Sequence, residues 1–423
     1  MNTPGQLPPA HLYIHVPFCA RRCTYCDFSI AVRRTVPVAA YLAALACELR
    51  QAATPAEPET VYLGGGTPSL LGGDGLERLA ALLGLGRRPV EFTLEANPDD
   101  VTPENARAWV RAGVNRLSLG AQSFDDRVLA WMHRTHRAAR IGEAVRTARD
   151  AGIGNLSLDL IFALPASHGR DWLADLDAAV ALAPDHISLY GLTVEPGTPL
   201  FRQVDRGEAA VADEQRYADE YLQAHGRLAE AGFRFYEVSN AARPGREAVH
   251  NRAYWTLAPY LGLGPSAHSF DGVTRWWNEP AYARWQRLLA GGGSPVAGHE
   301  LLNDNQRRLE ELYLGLRTSE GIVLPDPCPP KLRAALDRWV AAGWAVREEA
   351  QMHGRTGARE GVPVPTPDSA VHRRPVPPSP RAPLSAVAEP AVGPRARAPE
   401  RPATRARLTP QGWLRLDELV ATI

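Results

Sequence analysis

Cysteine is scarce in this chain, five residues in 423. That is too few for the disulfide framework of a secreted domain and suits a reducing compartment. A surplus of one charge is also missing. The 47 basic residues balance the 47 acidic ones, so no general attraction to nucleic acid or anionic lipid is expected. No stretch is long and apolar enough to span a bilayer, and the opening "MNTPGQLPPAHLYIHV" lacks the basic start and apolar core of a signal peptide. The expectation is a cytoplasmic protein without a transmembrane segment or nucleic-acid partner, with peripheral membrane contact left open. A chain of this length, 45% hydrophobic and 22% charged, can bury a large core and is expected to hold more than one domain.

Up to about residue 195, short β-rich runs alternate with amphipathic helical segments. The strand candidates are 11–16, 60–65, 90–95, 115–120, 156–161 and 186–191. In "TPENARAWVRAG", Thr102 suits an N-cap, Pro103 the first helical position and Gly113 the stop. Six strand–helix repeats predict a parallel sheet with right-handed crossovers. A barrel-like arrangement fits, with function at the C-terminal strand ends, and a doubly wound sheet is the rival. Residues 196–295 read as an extension containing an aromatic-rich segment. "GGGS" at 291–294 reads as a linker, and 296–352 with 408–423 as a small helical C-terminal domain. Residues 353–407 hold twelve prolines, no aromatic residue, and ten arginines against four acids. Such a composition buries too little apolar area to offset its chain entropy, so this insertion is expected to be disordered. "GWAV" before it and "ARLT" after it would form a hairpin.

Three of the five cysteines fall within eight residues of "HVPFCARRCTYCDF", as Cys19, Cys23 and Cys26. An odd trio is a poor disulfide start and a better metal site. Zinc with His15 as a fourth ligand is one reading. Three thiolates on a [4Fe–4S] cluster, with one iron left open, is the other. A glycine run, "YLGGGTPSLL", comes straight after the second strand, where glycines let backbone approach a ligand and offer N–H donors to an anionic group.

The C-x3-C-x2-C spacing just after the first strand resembles the radical S-adenosylmethionine (SAM) superfamily. Membership would imply a partial (β/α)6 barrel, with a winged-helix-like C-terminal domain, and a three-cysteine [4Fe–4S] cluster whose open iron binds the amino and carboxylate groups of SAM. The "GGGTP" element would add Gly65, Gly66 and Thr67 at the methionyl end. The same resemblance places Tyr13, Tyr25, Glu95, Gln122, Arg134 and Asp159 at SAM. The set "PFC…C.YCDF", "GGGTPS", "LEANP", "GAQS" and "DLI.ALP" closely resembles one branch, over residues 10–349 and 408–423. That branch contains the oxygen-independent coproporphyrinogen III dehydrogenases and their relatives, the heme chaperones.

Two features divide the branch. The dehydrogenases carry a further cysteine two residues after the third, where this chain has Phe28. "HNRAYW", His250 to Trp255, resembles the HNxxYW motif of the chaperones. An imidazole can ligate heme iron, and Tyr254 and Trp255 offer flat apolar area to a porphyrin. A core histidine beside aromatic residues is the bland reading of the same segment. His268, in "YLGLGPSAHSF", is a second candidate heme contact. The chaperone reading implies heme binding and delivery to an acceptor, a respiratory-chain protein. The alternative is oxidative decarboxylation of coproporphyrinogen III through a SAM-derived radical. No catalytic acid or base is assigned. A zinc protein explains the cysteines alone, and the neutral charge argues against a radical enzyme acting on RNA.

Overall fold

The computed structural model describes residues 9–55, 57–349 and 404–423. The insertion called between 353 and 407 therefore lies outside the described residues except for its last four, which are in a strand. The strands, in chain order, begin with β1 (His11–Val16), the two-residue β2 (Phe18–Cys19) and β3 (Ala31–Val32), and β4 (Thr60–Gly65). They continue with β5 (Glu91–Ala96), β6 (Arg116–Gln122), β7 (Asn155–Phe162) and β8 (His186–Gly191). β9 (Arg234–Glu237), β10 (Asn240–Ala242), β11 (Tyr260–Leu263), β12 (His268–Phe270), β13 (Thr274–Asn278) and β14 (Val296–Leu301) follow. β15 (Ile322–Val323), β16 (Ala345–Glu349) and β17 (Thr404–Leu408) complete the set.

One twelve-stranded sheet dominates, in the order β14-β13-β12-β11-β1-β4-β5-β6-β7-β8-β10-β9. Its centre, β1-β4-β5-β6-β7-β8, is parallel throughout. These strands lie side by side in sequence order, each followed by a helix. A doubly wound sheet would reverse direction at a switch point. Sequential order is that of a (β/α) barrel wall, and it decides between the two rivals. Residues 196–295 extend both edges, through β9 and β10 beside β8 and through β11, β12 and β13 beside β1.

Alternation along the strands explains why the sheet is buried on both faces. In β6, Leu117 and Leu119 pack into the apolar core, while Arg116 and Ser118, which alternate with them, are buried as well. β7 repeats the pattern with Leu156, Leu158 and Leu160 against Ser157 and Asp159. A period of two puts these sets on opposite faces. The helix at Pro103–Ala112 is capped as its sequence dictates. Thr102 Oγ1 accepts from Asn105 N at 3.2 Å, and Gly113 closes it at φ 104°.

The C-terminal part needs two corrections. β14, assigned from sequence to the small domain, pairs with β13 and is the edge of the large sheet. "GGGS" is therefore a turn inside the sheet unit, between the helix Tyr282–Ala290 and β14. The small unit comprises the helices Asp304–Arg317, Pro330–Ala341, Pro410–Trp413 and Leu416–Ala421 and the sheet β15-β17-β16. β16 and β17 pair antiparallel from Ala345↔Leu408 to Glu349↔Thr404. Residues 404–407, expected from sequence to belong to the insertion, are thus in a strand, because β16 supplies the backbone hydrogen bonds they need. Arg317 reaches back to the buried Glu237 at 2.7 Å, and Trp413 Nε1 donates to Leu316 O at 3.0 Å. Among the described residues no helix is long and apolar enough to cross a membrane.

A buried carboxylate ties the first helix to the sheet edge. Glu48, in Val38–Gln51, accepts from Gly264 N at 2.9 Å, Asn278 Nδ2 at 2.5 Å and Trp285 Nε1 at 3.1 Å. Burial raises its pKa to about 7, with those three donors opposing. Glu48→Ala should cost roughly 3 kcal/mol or more, since each buried donor left unpaired costs about 1–3 kcal/mol. The raised carboxyl binds a proton in the folded state that the unfolded chain releases above the usual carboxylate range. Its stabilising contribution is therefore complete at low pH and is lost as pH rises through about 7. Thermal melts between pH 5 and 8 should show this slope in the wild type and its removal in Glu48→Gln.

Candidate functional site

The cysteine loop is built by a local device. β2 and β3 pair in parallel, Phe18 against Ala31 and Cys19 against Val32. Ala31 N donates to Pro17 O at 2.7 Å and Arg33 N to Cys19 O at 2.9 Å. Between these pins the chain is held at Thr24, whose N–H donates to Met132 O and whose carbonyl accepts from Leu200 N at 2.8 Å. Tyr25 packs on a satellite core of Val128, Met132, Ile161, Leu164, Leu192 and Leu200. The three thiols thus lie on a loop fixed at both ends and in the middle.

They open onto a cavity of about 380 Å³ at the C-terminal ends of the parallel strands. Its wall includes Cys19, Cys23, Tyr25 and Cys26 from the loop, and Gly65, Gly66 and Thr67 after β4. Glu95 and Asp159 project from β5 and β7, and Gln122 and Arg134 complete the set expected from sequence. Tyr13 is the exception. It lines a neighbouring cavity instead, because β1 turns its side chain toward Tyr62, 6.1 Å away ring to ring, with its hydroxyl on His15 Nδ1 at 3.1 Å.

The glycine run is a cradle. Gly65 has φ 113°, and a Cβ there would lie 2.6 Å from the His15 ring. A Cβ on Gly66 would meet the Phe18 and Pro17 carbonyl oxygens at 2.7 and 2.8 Å. The backbone of the GGGTP turn therefore runs against the start of the cysteine loop. Thr67 Oγ1 donates toward Cys19 Sγ at 3.5 Å.

Charge in the cavity is unbalanced. Glu95 is held up at about 7 by burial, against a 2.7 Å bond from Tyr62, and the nearby Asp159 raises it further. Burial also raises Asp159, although Ser118 Oγ donates to its two oxygens at 3.0 and 3.1 Å. Two buried carboxyls facing one cavity favour a cationic ligand. On the opposite side Arg134 donates to Asn97 Oδ1, to Gly120 O at 2.9 Å and to Cys23 Sγ at 3.6 Å. Its buried Nε has no partner among the described residues. Burial pushes the Cys26 thiol up to about 11 and also raises Cys19, against the Thr67 hydroxyl. Taking up iron would release those protons.

The donor set fits an iron–sulfur cluster better than zinc. His15 is committed, its Nε2 to Ser29 O at 3.0 Å and its Nδ1 to Tyr13. Among the described residues no three His, Cys, Asp or Glu side chains close around a single ion. A cubane spreads its irons and asks for thiols set apart. Sequence reasoning missed Asn97 and Tyr190, both in the cavity wall. Asn97 sits in the quoted "LEANP", and Tyr190 is at the C-terminal end of β8, so strand-end position was the available signal.

A second cavity, about 570 Å³, adjoins the first and shares Phe28, Gly65 and Glu95 with it. Tyr254, Trp255, Tyr260 and Phe270 give it flat aromatic walls. His250 does not line it. The ring is fully buried, Nδ1 lies 2.7 Å from Thr60 Oγ1 and Nε2 2.8 Å from Tyr254 Oη. Burial, with His11 and Arg116 nearby, lowers its pKa to about 3. Glu91 explains the placement, because its carboxylate accepts from Val249 N and His250 N at 2.8 and 3.1 Å and fixes the start of the helix Val249–Trp255. The expected iron contact at His250 would require breaking two side-chain hydrogen bonds. Tyr254 and Trp255 stand where a flat ligand could meet them.

The profile of the radical SAM superfamily matches residues 13–179. The E. coli coproporphyrinogen III oxidase structure, HemN, superposes with a TM-score of 0.73, covering 99% of this chain and 91% of that one, at 18% identity. That likeness is one of fold. The profile match and a bovine relative, the mitochondrial radical S-adenosyl methionine domain-containing protein 1, 38% identical over 333 residues, 74% of this chain and 74% of that protein, make this chain a member of the radical SAM superfamily. Sequence similarity narrows the class. The heme chaperone HemW of Mycobacterium tuberculosis is 43% identical over 333 residues, 76% of this chain and 84% of that protein. HemW of Synechocystis is 38% identical over 335 residues, 76% of this chain and 81% of that protein. The chain belongs to the HemW family.

Gly66→Ala should be far more damaging than its size suggests. The added methyl collides with two backbone carbonyls, so either the GGGTP turn or the Phe18–Cys19 strand must move. A loss of about 1–3 kcal/mol in iron-free protein is expected, as for other overpacked sites. Chemical denaturation of that variant beside wild type measures it.

Proposed function

We propose that this protein is a heme chaperone, binding heme and delivering it to an acceptor of the respiratory chain in the cytoplasm, and that it carries a SAM-bound [4Fe–4S] cluster. The observation that carries this reading is the aromatic cavity beside the cysteine site. Its volume suits a cofactor-sized ligand, its walls suit a porphyrin face, and the family assignment agrees with it. Phe28, exposed to 60%, stands between the two cavities where the dehydrogenases carry a cysteine.

In this reading Cys19, Cys23 and Cys26 hold the cluster, which when bound supplies an open iron for the amino and carboxylate groups of SAM. Gly65, Gly66 and Thr67 take the methionyl end through backbone and hydroxyl. Glu95 and Asp159 compensate the cationic parts of the ligand, while Arg134 and Gln122 supply donors on the other side. Tyr25 anchors the cysteine loop from below. Tyr254 and Trp255 form part of the heme wall. The neutral overall charge offers no general attraction to a nucleic acid.

Anaerobic reconstitution should load about four irons per chain, as a cubane requires. Alanine at Cys19, Cys23 or Cys26 should abolish this, while Cys47→Ala should not. The wild type should bind heme near one per chain and should not convert coproporphyrinogen III when given SAM and a reductant. Multiple turnovers of decarboxylation would make it a dehydrogenase instead. Stoichiometric zinc without iron would remove the cluster assignment.

A further inference from the structure

Two of the three histidines in or behind the aromatic cavity are already engaged. His15 has both ring nitrogens bonded, to Tyr13 and to Ser29 O. His250 is bonded to Thr60 and Tyr254. His268 differs from both. It begins β12 on the cavity wall, its side chain is exposed, and neither ring nitrogen has a hydrogen-bond partner among the described residues. Its ring stacks on Trp277 from the adjacent strand, with centroids 5.9 Å apart and planes at 27°. That stacking holds the ring without using a nitrogen. Partial burial and the Arg275 charge lower its pKa, so a free lone pair is available at neutral pH.

The other side chains that could ligate iron are worse placed. Tyrosinate can hold heme iron, but burial raises Tyr13, Tyr254 and Tyr260 above the usual phenol range. No cysteine or methionine lines this cavity among the described residues.

We propose that His268 is the axial ligand to heme iron in the aromatic cavity, and that His250 is a positioning residue that orients Tyr254 from behind the wall. The assignment rests on the heme-chaperone reading and adds the ligand to it. The bond needs no group transfer: the neutral imidazole donates its lone pair to the iron. His250 acts at one remove, through the Thr60–His250–Tyr254 chain of hydrogen bonds.

The test is titration of the full-length, cluster-loaded protein with ferric heme and, separately, with metal-free protoporphyrin IX. The oxidised cubane is silent in EPR, so the ferric heme signal can be read alone. In His268→Ala the histidine-ligated signal should disappear and return on adding imidazole. The preference for heme over the metal-free ring should fall by at least about tenfold, since even losing a partner of a metal ligand costs that much. Tyr254→Phe and His250→Gln should weaken both ligands alike and keep the preference and the signal. Because His268 is exposed, its replacement leaves the fold intact, and Tyr254→Phe covers the case in which His250→Gln does not fold. An unchanged signal and preference in His268→Ala would overturn the assignment while leaving the chaperone reading in place. So would loss of the signal in His250→Gln that imidazole restores. A wild type that binds neither ring would overturn the chaperone reading and this assignment together.

Discussion

Charged and polar side chains on the inner face of a parallel sheet must find partners away from water, and the rest of this molecule is arranged around that need. Arg116 on β6 lies within 4.0 Å of Glu91 on β5, and Glu91 in turn accepts from the first amides of the helix that carries Tyr254 and Trp255. Ser157 Oγ and His186 Nδ1 are hydrogen-bonded at 2.8 Å, and the other nitrogen of His186 meets Tyr236 Oη at 2.9 Å. At the N-terminal side most of these groups meet a partner, although the Arg116 Nε keeps none within hydrogen-bonding distance among the described residues. Toward the C-terminal strand ends Glu95 and Asp159, each already bonded to hydroxyls, and the unpartnered Arg134 Nε line a cavity. An incompletely paired buried polar group is costly, and a ligand in that cavity would offset the cost at Arg134.

How much of this could be read from the sequence follows the physics of each feature. The six central strands were legible because alternation and flanking turns are local. The predicted 11–16, 60–65 and 186–191 agree with the observed bounds, and the others differ by one or two residues. The cysteine spacing and the GGGTP turn were legible because ligands within a few residues of one another are placed by the loop alone. β14 was misplaced because a glycine-rich turn looks the same whether it joins two domains or two strands; only its pairing with β13 tells them apart. His250 was placed at the heme for want of a signal for Thr60, 190 residues away in sequence. Tyr13 was set with SAM for a similar reason: the direction of its side chain depends on the β1–β4 register, which no short motif records.

The HNxxYW segment therefore has a divided role. Its histidine belongs to the hydrogen-bonded interior, and its aromatic pair belongs to the cavity. Arg317 lies over the Trp255 ring at 4.3 Å while also pairing with Glu237, so the small C-terminal unit braces the same wall from outside. Leu314 from that unit reaches the cavity directly. Removing the C-terminal helices would thus take away part of the cavity wall as well as a neighbouring layer.

Phe28 has a consequence of a different kind. Its ring belongs to both cavities, so the two sites do not have independent surfaces. Were both cavities to take the ligands proposed for them, a ligand on one side that settled this residue in one position would change the surface offered on the other. Linkage would make such an influence mutual, with the same factor in either direction. The order of filling would then be free, but the combined occupancy would not be simply the product of two separate affinities.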